Sequence, residues 1–246
     1  PVTDSLPGDA SQQLYVLSWT VMVVALVFTI ASMLDYFDKA RTLLGFSESK
    51  HGGSRAKKDG EALAGASAAS CGVLPPSSED ALRLAAADVI AAAREKHVSI
   101  GTAESCTGGL IGGTLTAVPG ASDVTEGGII SYSNQVKHQV LGVSQETLNS
   151  FGAVSGQTAC QMAEGARRVL GVDIAVSVTG IAGPGGAVPG KPVGTVWIGI
   201  SMPEGTVAKH CLFPGNRDEV RAHTIRFALD LFADCLAGKK LESDPF

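Results

Sequence analysis

The sequence predicts an α/β protein: a three-layer α/β/α arrangement around a sheet of mixed strands, preceded by one transmembrane helix and a flexible linker. Three observations carry this expectation. Short apolar segments at 98–103, 127–131 and 173–178 alternate with stretches of helical periodicity, the pattern of strands joined by crossover helices. Two further strand-like segments, 194–201 and 206–213, flank Pro203-Glu204-Gly205 and read as a hairpin, which adds an antiparallel pair. Upstream of all of them, residues 14–34 contain no charged side chain, and a run of about 20 apolar residues is what a bilayer crossing needs.

The flanks of that run support a membrane helix. Tyr15 and Trp19 lie near one end and Tyr36 and Phe37 near the other, as interfacial anchors do. Lys39, Arg41, Lys50, Arg55, Lys57 and Lys58 follow it, whereas Asp4 and Asp9 precede it. The positive-inside rule then places the remainder in the cytoplasm, tethered to the inner face of the membrane. The rivals are a buried helix and a signal segment; the latter needs a basic stretch before its apolar run, and none is present. The chain begins with Pro1 rather than Met, as a processed chain or a piece of a longer one does. Residues 1–46 are thus expected to hold the helix with its flanks, 47–77 a Gly-, Ala-, Ser- and Pro-containing linker, 78–240 a compact domain, and 241–246 a tail.

Within the domain, Ser77 or Ser78 caps a first helix with Glu79 and Asp80 in its opening turn and Leu82, Leu84, Val89 and Ile90 as its apolar face. The strand at 98–103 runs into a turn and then a helix carrying Ile111 and Leu115. Residues 119–122 are a loop, and 127–131 a second buried strand ending in Tyr132-Ser133-Asn134. A short helix from Gln135 carries Lys137, and Ser144 caps another turn or two. Ser155 caps a clear helix to Leu170, with Ala159, Met162, Ala163 and Ala166 on one face and Gly171 after its end. The third buried strand, 173–178, leads into a glycine-rich loop at 179–186. A long helix over 216–236 closes the domain.

Composition narrows the function. The 246 residues carry 24 Asp and Glu against 19 Lys and Arg, a formal net charge of −5, so a general nucleic-acid surface is not expected. The cysteines are Cys71, Cys106, Cys160, Cys211 and Cys235, an odd number with no CxxC spacing, which signals neither a disulfide framework nor a thiolate zinc site. The five histidines show no HxxxH or HExxH pairing, so a catalytic metal is not expected.

In an open α/β sheet, ligands bind beyond the carboxyl ends of the strands. Here those ends are Glu104-Ser105-Cys106-Thr107-Gly108-Gly109, Tyr132-Ser133-Asn134 and Thr179-Gly180-Ile181-Ala182-Gly183-Pro184. The helix start after Ser105 offers unpaired amides for a phosphate or for the oxyanion of acyl transfer. Ser105 then reads as a nucleophile, or as a plain helix cap. Cys106 is the rival nucleophile, since a thiol at a helix start has a lowered pKa. Lys137 and His138 are the candidate bases; a lysine serves only if burial or a neighbouring cation brings its pKa to about 7–8. Arg217 either supplies positive charge or grips a phosphate as a fork, or else pairs with Asp218.

At these motifs the sequence resembles the CinA C-terminal domain family, whose stand-alone members are nicotinamide-nucleotide amidohydrolases. The resemblance runs from about residue 78 to about 238. It rests on Thr102-Ala-Glu-Ser-Cys-Thr-Gly-Gly109, Tyr132-Ser-Asn-Gln-Val-Lys137, Gly152-Ala-Val-Ser155, Ser177-Val-Thr-Gly-Ile-Ala-Gly-Pro184, Lys191-Pro-Val-Gly-Thr-Val-Trp197 and Gly215-Asn-Arg-Asp218, six motifs in one order. It implies Ser105 as nucleophile, Lys137 as general base and Tyr132 beside them. It further implies a nucleotide site drawn from Thr107, Gly108, Gly109, Thr179, Gly183 and Arg217, no cofactor, and a homo-oligomer. The implied reaction converts nicotinamide mononucleotide and water to nicotinic acid mononucleotide and ammonia. A nucleotide-binding module without catalysis stays open. The pyrophosphatase activity of the N-terminal domain of full-length CinA proteins is not carried over. Separately, residues 14–45 resemble the last transmembrane helix of a phosphatidylglycerophosphate synthase, through Thr29-Ile-Ala-Ser-Met-Leu-Asp-Tyr-Phe-Asp-Lys-Ala-Arg41. That family's aspartate-rich catalytic motif is absent, so this resemblance suggests the tail of a fusion and no phosphatidyltransferase activity.

Overall fold

The computed structural model describes residues 78–246, together with Trp19, Met22 and Val23. Among the described residues, no helix is long and apolar enough to cross a membrane. The expected span at 14–34, apart from those three positions, and the expected linker at 47–77 lie outside the described residues. The chain divides into two units, Pro1–Leu63 and Ala64–Phe246, and the sheet with its helices belongs to the second.

The sheet is mixed. In chain order the elements are α1 (Glu79–Lys96), β1 (Ile100–Glu104), α2 (Leu110–Thr116), a 3-10 turn (Ala121–Asp123), β2 (Thr125–Ile130), α3 (Asn134–Gln139), α4 (Gln145–Ser150), α5 (Gly156–Leu170), β3 (Ile174–Gly180), β4 (Thr195–Met202), β5 (Gly205–Leu212) and α6 (Arg217–Leu236). The strand order is β2-β1-β3-β4-β5. β1 pairs parallel with β2 and β3, while β4 runs antiparallel to both β3 and β5.

Local signals place most boundaries. Ser78 Oγ accepts the amide of Ala81 at the start of α1, and His97, in the left-handed region at φ 55°, ends that helix. Ser133, Ser144 and Ser155 cap α3, α4 and α5 in the same way. Asn216 and Glu219 close a reciprocal capping box on α6. The apolar face of α1 is Leu82, Ala86, Val89, Ile90 and Ala93. Leu84, expected on that face, is 69% exposed, because the 3.6-residue period turns it to the opposite side.

Each face of the sheet has its own core. On one, α1, α2 and α6 bury Ile90, Ile111, Leu115, Leu229 and Phe232 against Ile100, Val176, Val178 and Ile198. Each such side chain contributes about 1.5–3 kcal/mol when fully buried. On the other face, Met162 and Ala166 of α5 pack with Ala103, Leu141, Val143 and Leu148. Small residues let α5 lie close: a Cβ added at Gly165 would stand 2.0 Å from the Leu141 carbonyl oxygen.

β2 corrects an expectation. Read as a buried strand, it is an edge strand that alternates half-buried and exposed positions, ending at Ile130, 56% exposed. Its short apolar run, Gly127 to Ile130, looks the same whether one face or both are covered. The opposite edge, β5, is partly covered by the residues that follow α6. The Asp244 amide donates to Ala208 O at 2.9 Å, and the His210 amide donates to Asp244 Oδ2 at 2.8 Å. Phe246 packs edge-on against Trp197, their ring centroids 5.8 Å apart.

This topology positions the site. β1 connects to β2 through α2 on one face. β2 connects to β3 through α5 on the other. β1 and β3 are neighbours, so their carboxyl ends border the point where the connections diverge, which is where open α/β sheets bind ligands.

Candidate active site

Alternation along β1 decides what each side chain meets. Ile100, Thr102 and Glu104 face α2, and Thr102 Oγ1 donates to Glu104 Oε1 at 3.2 Å. Gly101 and Ala103 face the α5 side, and the backbone continues extended into Ser105, whose amide donates to Val178 O at 3.1 Å. Successive residues of a strand point oppositely, so Glu104 and Ser105 are delivered to different faces.

Ser105 meets Lys137. The lysine projects from α3 and is 1% exposed, among the largest of the fully buried side chains of the described residues. Its Nζ lies 3.0 Å from Ser105 Oγ, 2.7 Å from Ser131 O and 3.3 Å from Tyr132 O. Burial lowers its pKa from 10.5 to about 8, opposed by Cys106. As an ammonium, Lys137 donates to Ser105 Oγ, Ser131 O and Tyr132 O; once it loses a proton, the two carbonyls can keep its two N–H bonds and its lone pair is left for the serine hydroxyl. The capping alternative for Ser105 fails, since the N-cap of α2 is Gly109 and the amides of Gly109, Ile111 and Gly112 go to the Glu104 side chain rather than to the Ser105 hydroxyl.

The turn between Ser105 and α2 is closed by the Gly108 amide on Ser105 O at 3.2 Å. Gly108 and Gly109 take φ of 64° and 98°, a conformation that a side chain would strain. The amides at the start of α2 are not free for an anion, contrary to the sequence expectation. Glu104 Oε2 accepts Gly109 N at 2.9 Å and Ile111 N at 3.1 Å, and its Oε1 accepts Gly112 N at 2.7 Å. The amides of Cys106 and Thr107 lie outside this cap.

Cys106 does not fit the rival role. Burial pushes its thiol up to about 12, despite the Cys106 and Thr107 amides and the charge of Lys137. A helix start lowers a thiol pKa only where the thiol is not desolvated.

The other expected residues divide. Tyr132 reaches Lys137 through its carbonyl, while its side chain is 67% exposed. The Thr179 hydroxyl is committed to Ala153 O at 2.6 Å, so it holds the loop before α5 rather than projecting free. Arg217 does not pair with Asp218: its Nη1 donates to Gly183 O at 3.0 Å, joining the start of α6 to the glycine-rich loop. Thr107 is fully buried, and neither its hydroxyl nor that of Ser131 has a hydrogen-bond partner. His138 Nδ1 lies against Val143 O, away from the dyad. Among the described residues no cluster of His, Cys, Asp or Glu could hold a metal.

Sequence reasoning missed Glu104 and Arg221. Arg221 Nη2 donates to Thr107 O at 2.9 Å and so supports the serine-bearing turn from α6. One signal was available for it: Arg221 follows Arg217 by four residues, one turn on the same helical face. A groove of about 480 Å³ between α1, α2 and α6 reaches Arg221 but not Ser105 or Lys137.

Comparison with known proteins decides the family. Residues 83–236 match the CinA C-terminal domain. The chain belongs to the CinA C-terminal domain family. It is 57% identical over 134 residues to a CinA-like protein of Leptospira borgpetersenii, covering 53% of this chain and 32% of that one. The competence/damage inducible protein CihA from Agrobacterium tumefaciens shares the fold with a TM-score of 0.62 at 40% identity, over 68% of this chain and 99% of that one. The competence damage-inducible protein A from Klebsiella pneumoniae does so with a TM-score of 0.63 at 34% identity, over 65% and 99%. The chain spans about a third of the length of the curated relatives it matches.

Proposed function

We propose that this CinA-family domain is a Ser/Lys amidohydrolase that converts nicotinamide mononucleotide to nicotinic acid mononucleotide and ammonia. The observation that carries this reading is the 3.0 Å approach of a buried, pKa-lowered Lys137 amine to the Ser105 hydroxyl. Neutral Lys137 takes the hydroxyl proton as Ser105 Oγ bonds to the carboxamide carbon. The amides of Cys106 and Thr107 hold the developing oxyanion; one such donor is worth about 2.7–4 kcal/mol. Lys137 then gives its proton to the carboxamide nitrogen, the C–N bond breaks and ammonia leaves. Water attacks the acyl-serine, its proton passes to Lys137, and the C–O bond breaks to release the acid and restore the hydroxyl. The unpartnered hydroxyls of Thr107 and Ser131 have hydrogen-bonding capacity for the carboxamide. Arg217, exposed beside the loop after β3, suits the ribose phosphate.

The test is ammonia release by the full chain supplied with nicotinamide mononucleotide. Wild type is expected to turn over. Ser105→Ala and Lys137→Ala are expected to lose at least about 10³-fold in kcat, as removal of a nucleophile or its base does, while still binding the nucleotide. Nucleotide binding by wild type without ammonia release would make the domain a binding module instead.

A further inference from the structure

Glu104 takes no part in the bond-making and bond-breaking of amide hydrolysis, yet it is among the most completely buried large side chains, 1% exposed. Its two oxygens accept three backbone amides, from Gly109, Ile111 and Gly112, and the Thr102 hydroxyl. Those amides belong to the far side of the turn that starts at Ser105. The peptide next to Ser105 is thus tied at one end by sheet pairing, Ser105 N to Val178 O and Ser131 N to Glu104 O, and at the other by the Glu104 carboxylate. Arg221 holds Thr107 O between them. Few degrees of freedom remain for the hydroxyl that must face Lys137.

We propose that Glu104 is the positioning residue for Ser105. Its carboxylate fills the amide cradle at the start of α2 and thereby fixes the turn that presents the Ser105 hydroxyl to the Lys137 amine. Two consequences separate this role from a charge effect or from plain stability. Lys137 owes its lowered pKa to burial, with Cys106 as the opposing influence. Neutralising Glu104 should therefore leave the pH midpoint of Ser105 reactivity where it was. The elements proposed for the ribose phosphate lie elsewhere, at the glycine-rich loop and Arg217, so the loss should fall on kcat more than on KM.

Glu104→Gln is the first variant. An amide in place of one carboxylate oxygen sets a donor against donors, so at least one amide loses its acceptor. Thr102→Val is the second; it removes the fourth contact and leaves the three amides in place. For both, the full chain is treated with a sulfonyl fluoride, and the adduct on Ser105 is quantified by mass against pH; ammonia release gives kcat and KM. In the labelling step the Ser105 O–S bond forms, the S–F bond breaks, fluoride leaves and the hydroxyl proton passes to Lys137.

The expected result for folded Glu104→Gln is a labelling rate and kcat lower by about 10- to 100-fold, the scale of a small misplacement of a reacting group. KM changes less than kcat, and the midpoint near the Lys137 pKa stays unchanged. Thr102→Val is expected to lose about 2- to 5-fold by the weakened hold on one oxygen, and it decides the matter if Glu104→Gln does not fold. An unchanged labelling rate in folded Glu104→Gln, or in Thr102→Val where only that variant folds, overturns the proposal. So does a shifted midpoint, a rise in KM that accounts for the loss, or a wild-type chain that does not label at Ser105. The proposal rests on the nucleophile assignment but not on the substrate: labelling without ammonia release overturns only the choice of substrate.

Discussion

Lys137 is the residue at which burial and chemistry meet. Its pKa falls from 10.5 to about 8 on folding. Below pH 8 both folded and unfolded chains carry the proton, and the folded chain bears the full cost of burying it. Between about pH 8 and 10.5 the unfolded chain binds more protons, so stability rises with pH. At about 1.4 kcal/mol per pH unit, this is of order 3 kcal/mol in total. Denaturant unfolding at pH 7 and 9.5 is expected to show that rise in wild type and not in Lys137→Met, with the other titrating groups shared by both. In the proposed reaction the same titration governs catalysis. The base must be neutral, so kcat/KM is expected to climb with pH to a plateau above about 8. A pH-independent kcat/KM from 6 to 10 would remove Lys137 from the base role.

At the scale of elements, the caps tie secondary structure to the site. Asn216 accepts the amides of Asp218 and Glu219, and the helix it starts carries both Arg217 and Arg221. Asn216→Ala is expected to cost about 1 kcal/mol, read as a fall of about 2–4 °C in Tm. KM should rise as Arg217 loosens from Gly183 O, whereas an unchanged KM would mean that the loop holds its place without α6. Much of this layer was legible. Ser78, Ser144, Ser155 and Asn216 stand where a periodic apolar pattern begins, and Gly171 where one ends. The polar ends of three strands pointed to one edge of the sheet, and Ser105 and Lys137 do meet there. What escaped depends on the third dimension. Leu84 is as apolar as its neighbours but falls on the wrong side of the helix. Thr179 belongs to a glycine-rich motif, yet its hydroxyl is satisfied by Ala153, 26 residues away in sequence. Glu104 beside a helix start looks like any acidic residue near a turn. Only the direction of its side chain shows that it occupies the amides expected to serve an anion.

Across the whole described molecule the two faces of the sheet divide the work. The α1, α2 and α6 face supplies support: Glu104 holds the start of α2, and Arg221 reaches across to Thr107. The α5 face carries the Ser105 and Lys137 pair to which the proposed reaction is assigned. The edge at β5 is partly covered by residues that follow α6. Asp244→Ala is expected to deprotect the His210 amide in hydrogen exchange and to release the Lys209 ion pair, now 3.1 Å; unchanged protection there would show that Asp244 does not seal the edge. The neighbouring positions of Glu104 and Ser105 make the domain sensitive to parity. One residue added to or removed from β1 would exchange the two, burying a hydroxyl under α2 and setting a carboxylate against the lysine. Two residues would keep both in their proper rooms, so evolution can lengthen this strand only in even steps.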